Sequence, residues 1–308
     1  MAEEALSRVP VLVAPTASGK THLVLQLLEE FPRLVVISAD SRKIYRHLEI
    51  GTNKPPREVR HRFRLVDFLE PTEFFDAYTF RQLAEQEIQR ARQEGRPVLV
   101  VAGTPLYLYA LFRGLFRAPR PDPEIRRRLL ERWHRGEPLY EELQRVDPET
   151  ARRVHPADWI RITRALEVYY QTGRPISWWR THRAETPRYA PLYVGLYRPR
   201  PELYRRIEHR VEAMMAAGLL EEVQALRRRY PADSPAFRTI GYRELLRYLE
   251  GEGTLDQAVQ AIKRNTKVYL RRQTYFFRKL GDIPWLPPEQ ALQALREVLG
   301  RGAGEGKD

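Results

Sequence analysis

The sequence of 308 residues predicts an α/β fold: a parallel sheet with helices on both faces, interrupted by a mainly helical insert. Three observations predict it. Short β-branched runs alternate with segments of helical spacing through the first third of the chain. The first run, "VPVLVAP", leads straight into a small polar loop that ends in Lys20 and Thr21. From about 117 to 190 the texture changes to Arg- and Pro-rich, with no strong strand.

The elements follow in order. Residues 9–15 and 33–40 read as strands separated by a helix over about 19–31. Residues 63–70 and 96–103 read as further strands, and between them 77–95 carries helical spacing and closes on Gly95, a favoured helix stop. Near-continuous apolar strands in such alternation mean a sheet buried on both faces. Residues 1–116 therefore form the first part of a core, 117–190 a helical insertion domain, and 191–308 the second part of the core. That last part opens on the strand-like "PLYVGLYRP" and continues with amphipathic segments near 201–230, 239–251, 254–280 and 289–299. The closing "GRGAGEGKD" has the composition of a flexible tail.

Residues 14–21, "APTASGKT", match the pattern GxxxxGK[ST] except at Ala14. Such a loop turns backbone N–H groups inward, lets an anion approach at Gly19 and aims a helix N-terminus at it. Lys20 adds a point charge and the Thr21 hydroxyl can ligate Mg²⁺. The strand before and the helix after supply the context, so the core is of the P-loop NTPase-like type. Ala14 is less at ease than glycine in a left-handed backbone, which puts the first turn in question. The loop alone says oligophosphate. Asp40, closing "LVVISAD", sits among Ser41, Arg42 and Lys43. A carboxylate in that setting serves as proton acceptor or hydrogen-bond anchor; the alternative is an acid behind a metal.

Composition sets outer bounds. No cysteine is present, which excludes disulfides, thiolate catalysis and cysteine-ligated zinc. No apolar run reaches the roughly 18–20 residues that span a bilayer, and "MAEEALSRVP" lacks a signal peptide's apolar core. A cytoplasmic location is the expectation. Fifty-three Lys and Arg against 40 acids give a net charge of +13, which suits a polyanionic partner such as nucleic acid, or a basic solvated surface. His22, His47, His155 and the other histidines show no metal-ligand spacing.

Seven strings in one order carry a resemblance: "APTASGKT", "ISADSRKIYRHLEIGTNKP", "VAGTPLYLYALFRGL", "RITRALEVYYQTGRP", "RIEHRVEAMMAAGLLEEV", "TIGYRELLRYLEG" and "AIKRNTKVYLRRQTYFFRK". Together, over roughly 9–280, the chain resembles the tRNA dimethylallyltransferase (tRNA isopentenyltransferase) family, without the zinc-binding extension of some relatives. The resemblance implies transfer of a prenyl group from dimethylallyl diphosphate to the exocyclic amino nitrogen of the adenine 3′ of the tRNA anticodon. It implies that Thr16, Ala17, Ser18, Gly19, Lys20 and Thr21 bind the diphosphate, with Arg206 and Arg210 facing it. It also implies that Asp40 is the general base and that Thr104 lies near the acceptor. The segment Asp40, Ser41, Arg42, Lys43 matches a tRNA-contacting stretch that more often reads Asp-Ser-Met-Gln, so Arg42 and Lys43 depart from it. Arg161, Thr163 and Arg164 fall on a second such stretch, where Ile160 replaces a common Gln.

In the chemistry implied, positive charge grows on the allylic carbon and negative charge on the diphosphate, which the loop, Lys20, an arginine and Mg²⁺ stabilise. Asp40 takes the proton of a poorly nucleophilic amine. For Thr104, holding the carboxylate or base edge stands beside capping the helix that follows. The stretch 263–279 holds seven basic residues and no acid. At roughly 100° per residue Ala258, Ile262, Tyr269 and Phe276 share a stripe that docks on the core, while Lys263, Lys267, Arg271 and Arg278 face RNA phosphates from the other arc. The tryptophans Trp133, Trp159, Trp178 and Trp179 are expected in cores or interfaces. The partners expected are thus the tRNA anticodon stem-loop and dimethylallyl diphosphate, with the protein a monomer. A small-molecule or nucleoside kinase using ATP is the rival, and a nucleotide-switched RNA-binding protein a third reading.

Overall fold

The computed structural model describes residues 6–116, 118–182 and 186–302. Position 117, where the insert was expected to begin, lies outside them, as do residues 303–308 of the expected tail. Gly300 and Gly302 of that tail belong instead to the last helix.

Six strands form one parallel sheet: β1 (Ser7–Val13), β2 (Val35–Ala39), β3 (Phe63–Arg64), β4 (Val98–Ala102), β5 (Tyr189–Leu196) and β6 (Trp285–Leu286), in the order β3-β2-β4-β1-β5-β6. The helices interleaved with the first four are α1 (Lys20–Glu30), α2 (Arg57–Arg60) and α3 (Ala77–Gln93), followed by α4 (Pro105–Arg113). Next come α5 (Pro123–His134), α6 (Leu139–Val146), α7 (Pro148–Ala151), α8 (Trp159–Thr172) and α9 (Ile176–His182). After β5 the chain forms α10 (Arg200–Ala216), α11 (Leu219–Arg229), α12 (Tyr242–Leu249), α13 (Leu255–Phe277) and α14 (Pro288–Gly302).

The chain divides into two compact units, Met1–Phe112 with Arg188–Asp308, and Arg113–Pro187. In the first, Leu12, Val36 and Leu99 pack with Val24 and Leu27 of α1 and Leu295 of α14. Alternate residues of the same strands, Val11, Ile37 and Val100, point to the other face and are equally buried. Burial on both faces is what makes the strands read as unbroken apolar runs. A separate core joins Ile207 and Val211 of α10, Val223 of α11, Leu245 of α12 and Ile262 and Leu270 of α13. In the second unit Leu129, Leu139, Leu143, Ile162 and Leu166 form the core.

Two sequence expectations change, and one strand was not foreseen. The strand expected over 63–70 stops after Arg64, because Leu65 (φ 60°) and Asp67 (φ 60°) take left-handed backbone that breaks the ladder. The segment expected over 201–230 is two helices, α10 and α11, parted at Gly218 (φ 94°). The edge strand β6 has too short a run to be read from sequence.

Register positions the site. Val13 and Ala39 are both level with Ala102, so β1, β2 and β4 end at one height. The chain therefore releases Ala14, Asp40 and Gly103 side by side at the carboxyl edge, where open α/β sheets bind ligands.

Candidate active site

The loop after β1 is built as the motif requires, with one relocation of strain. Ala14 does not take a left-handed backbone; Ala17 (φ 63°) and Gly19 (φ 100°) do. A buried Ala14 is thus compatible with the loop. Several of its carbonyls are held by side-chain donors. Lys20 Nζ donates to the Ala14 and Pro15 carbonyls at 2.6 and 3.0 Å, and the Ser18 hydroxyl donates to the Pro15 carbonyl at 2.8 Å. Arg198 Nε donates to the Ser18 carbonyl and Arg206 Nε to the Ala17 carbonyl, each at 2.7 Å. Arg210 Nη1 reaches the Thr16 hydroxyl at 3.4 Å. With these carbonyls occupied by protein donors, the N–H groups near the start of α1 are left for an anion.

Asp40 lies beside this loop. Its Oδ1 accepts from the Arg42 and Lys43 N–H groups at 2.9 and 3.3 Å, a turn that fixes the carboxylate on its own backbone. Oδ2 lies so close to Gly103 that a Cβ there would be 2.8 Å away, so glycine alone leaves it room. Thr104 caps no turn of α4 with its side chain. Its Oγ1 accepts from the Ser41 N–H at 3.0 Å and its hydroxyl can donate to Ser41 Oγ at 3.3 Å, so it steadies the residue after Asp40. Tyr269 donates its phenol to the Gly103 carbonyl at 3.1 Å. Burial, then the Asp40 charge, push that phenol above its ordinary range.

Gln273, absent from the sequence expectations, ties these parts together. Its Oε1 accepts from the Thr16 N–H at 2.8 Å while its Nε2 donates to the Gly103 carbonyl. The side chain is 2% exposed. Arg198 was also missed. The only sequence signal for Gln273 is a neutral polar residue inside a stretch of cations and aromatics.

A small pocket lined by Lys20, Thr21, Ser38, Asp40, Lys43 and Gly103 opens between the strand ends. It is starved of negative charge. Burial first, then the nearby Lys43, lower the Lys20 ammonium to about 7, against a partly compensating Asp40. Burial likewise lowers Lys43 and Arg210, with Asp40 again opposing. Three cations around one carboxylate make a site for a multiply charged anion. Thr21 lines the same pocket, and its hydroxyl has no protein hydrogen-bond partner among the described residues. No cluster of three or more histidine or acidic side chains able to hold a metal occurs among those residues.

The sequence profile described as IPP transferase matches residues 43–280. The chain belongs to the IPP transferase family. It is 47% identical over 296 residues to tRNA dimethylallyltransferase 2 of Geotalea uraniireducens, covering 94% of this chain and 95% of that one. The structure is similar to that of the tRNA isopentenylpyrophosphate transferase of Bacillus halodurans, with a TM-score of 0.69, 30% identity and 97% of each chain covered. It is also similar to a eukaryotic dimethylallyltransferase acting on tRNA, with a TM-score of 0.77, 25% identity, and 98% and 86% coverage.

In this member of the IPP transferase family the expected RNA face of α13 is rearranged. Lys263 pairs with Glu208 at 3.0 Å and Glu212 at 2.8 Å, and Lys267 pairs with Glu208, so both ammonium groups are engaged by α10. Arg264, Arg271, Arg272 and Arg278 are exposed and form no ion pair among the described residues. The apolar stripe also differs from the expected one: Phe277 is buried, whereas Phe276 is 44% exposed beside Tyr275. On α8, Thr163 was expected to contact RNA but is buried, its hydroxyl donating to the Trp159 carbonyl at 2.7 Å. Arg164 is held by Glu167 at 2.9 Å, while Arg161 stays exposed with Asp158 at 3.5 Å. Trp159, expected in a core or interface, is 40% exposed. Arg42 reaches the Pro235 carbonyl at 3.5 Å. No helix among the described residues is long and apolar enough to cross a membrane.

Proposed function

We propose that the protein, as a monomer, transfers a dimethylallyl group from dimethylallyl diphosphate to the exocyclic amino nitrogen of the adenine 3′ of the tRNA anticodon, releasing diphosphate. The observation that carries this reading is one carboxylate, Asp40, set beside a cationic anion cradle in a chain of the IPP transferase family. A bond forms between the adenine nitrogen and the allylic carbon. The carbon–oxygen bond breaks with its electron pair leaving on the diphosphate, and the amine proton passes to Asp40.

Each residue has a share. The N–H groups at Gly19, Lys20 and Thr21 receive the phosphates, and Lys20 and Arg210 stabilise the charge that grows on the leaving oxygen. Arg206 and Arg198 hold the Ala17 and Ser18 carbonyls of the loop. Thr104 and Ser41 steady the turn that bears Asp40. The unpartnered Thr21 hydroxyl fits Mg²⁺, whose shell diphosphate oxygens and water would complete. Bound there, the ion supplies further neutralisation of the diphosphate. The adenine must leave its stack to reach the pocket.

The deciding assay incubates the protein with unmodified tRNA, radiolabelled dimethylallyl diphosphate and Mg²⁺, followed by nucleoside analysis. Label in a modified adenosine, with diphosphate released only when tRNA is present, is the expected result. Transfer of the terminal phosphate of ATP instead would make the protein a kinase.

Two further outcomes are expected. Gly103→Ala places a Cβ against Asp40 Oδ2 and shifts the base. Turnover falls roughly 10- to 100-fold, since sub-ångström misplacement of a reacting group is costly, with the thermal midpoint little changed. Neutralising Arg271, Arg272 and Arg278 lowers the slope of log affinity for tRNA against log salt by about 0.7–0.9 for each phosphate no longer neutralised. Neutralising Lys263 and Lys267 lowers it less, because Glu208 and Glu212 already hold those charges.

A further inference from the structure

Lys43 stands where the family's segment more often has glutamine, and sequence alone grouped it with the RNA-binding residues. Its surroundings say otherwise. The side chain lines the same pocket as Lys20, Thr21, Ser38, Asp40 and Gly103. Its backbone is anchored at both ends: the N–H donates to Asp40 Oδ1 at 3.3 Å and the carbonyl accepts from the Asp67 N–H at 2.9 Å. The ammonium itself has no hydrogen bond and no ion pair among the described residues. Other lysines in this part of the protein are differently engaged. Lys20 is bound to two loop carbonyls, Lys54 to Asp67 and Glu49, and Lys263 and Lys267 to acids of α10.

An unpaired ammonium that is partly buried, next to another lysine and to Arg210, is electrostatically unfavourable without an anion. The nearest carboxylate, Asp40, serves three cations at once. RNA phosphates are bound by exposed cations, of which α13 offers several, whereas Lys43 opens inward. We infer that Lys43 is a ligand of the diphosphate, a second ammonium on the leaving group beside Lys20, and does not bind RNA. The inference rests on the reading of the pocket as the diphosphate site. It adds a catalytic residue: as the carbon–oxygen bond breaks and its electron pair settles on the diphosphate, Lys43 meets that charge from the side of the sheet occupied by Asp40.

The test uses Lys43→Gln, Lys43→Met and Lys43→Arg in the full chain, with inorganic diphosphate as probe. For each, diphosphate affinity, tRNA affinity with its salt dependence, and single-turnover rate are measured. The wild-type protein binds inorganic diphosphate. Lys43→Gln and Lys43→Met bind it about tenfold more weakly and react at least as much more slowly, Lys43→Arg recovers part of both, and the tRNA salt slope is unmoved in all three. Unchanged diphosphate affinity together with a flattened salt slope would return Lys43 to the RNA surface and overturn the inference. Unchanged diphosphate affinity with an unmoved slope would overturn it as well. Failure of the wild-type protein itself to bind diphosphate would instead reject the pocket assignment, which separates the two ideas.

Discussion

Asp40→Asn lowers the rate of the chemical step by about 10²–10⁴-fold, the span over which a positioned general base acts. The substitution is chosen because it spares the architecture. The asparagine Oδ1 still accepts from the Arg42 and Lys43 N–H groups, so the turn after β2 is retained. What disappears is the anion proposed to take the amine proton. Removing it also leaves Lys20, Lys43 and Arg210 without their shared counter-charge, so inorganic diphosphate should bind as well as before or better. A single-turnover measurement with saturating tRNA and prenyl donor separates the two effects. An unchanged rate would remove Asp40 from the role of base.

Lys20→Met lowers kcat/KM by about 10²–10³-fold, the usual cost of deleting one donor aimed at developing negative charge. The side chain acts twice in the free protein. Its ammonium lines the pocket, and it also donates to the Ala14 and Pro15 carbonyls, bracing the loop from within. Loss of the second role loosens the loop and shows as weaker inorganic diphosphate binding. Loss of the first shows in the chemical step. Lys20→Arg does not restore the rate, because a planar fork cannot replace a compact ammonium on a loop whose carbonyls are 2.6 and 3.0 Å away. Full activity of Lys20→Met would remove the lysine from charge stabilisation altogether.

Much of this was legible in the amino-acid string. The parallel sheet follows from strands apolar on both faces, and the loop from its spacing between a strand and a helix. The rest depends on pairings far apart in sequence. Gln273 bonds Thr16 and Gly103, positions that no local window joins to it. Lys263 and Lys267 read as free cations because the acids that neutralise them, Glu208 and Glu212, belong to another helix. On α13 a constant angular step put Phe276 inward. The helix begins against α10 and α12 but ends against β6, where Phe277 lies 6.4 Å from the Trp285 ring, so its buried side turns along its length. Gly218 ends α10 with a left-handed backbone that the amphipathic pattern of 201–230 conceals. Thr163 shows the same limit, since its helix bonds the hydroxyl internally.

The glutamine that laces two neighbouring loops has a consequence for anyone reshaping this enzyme. It grows from the same rod that displays Arg271, Arg272 and Arg278 outward. Replacing that rod as a whole would also unfasten the two loops at the sheet edge, so changes to its exposed positions are best made one by one while this stitch is kept.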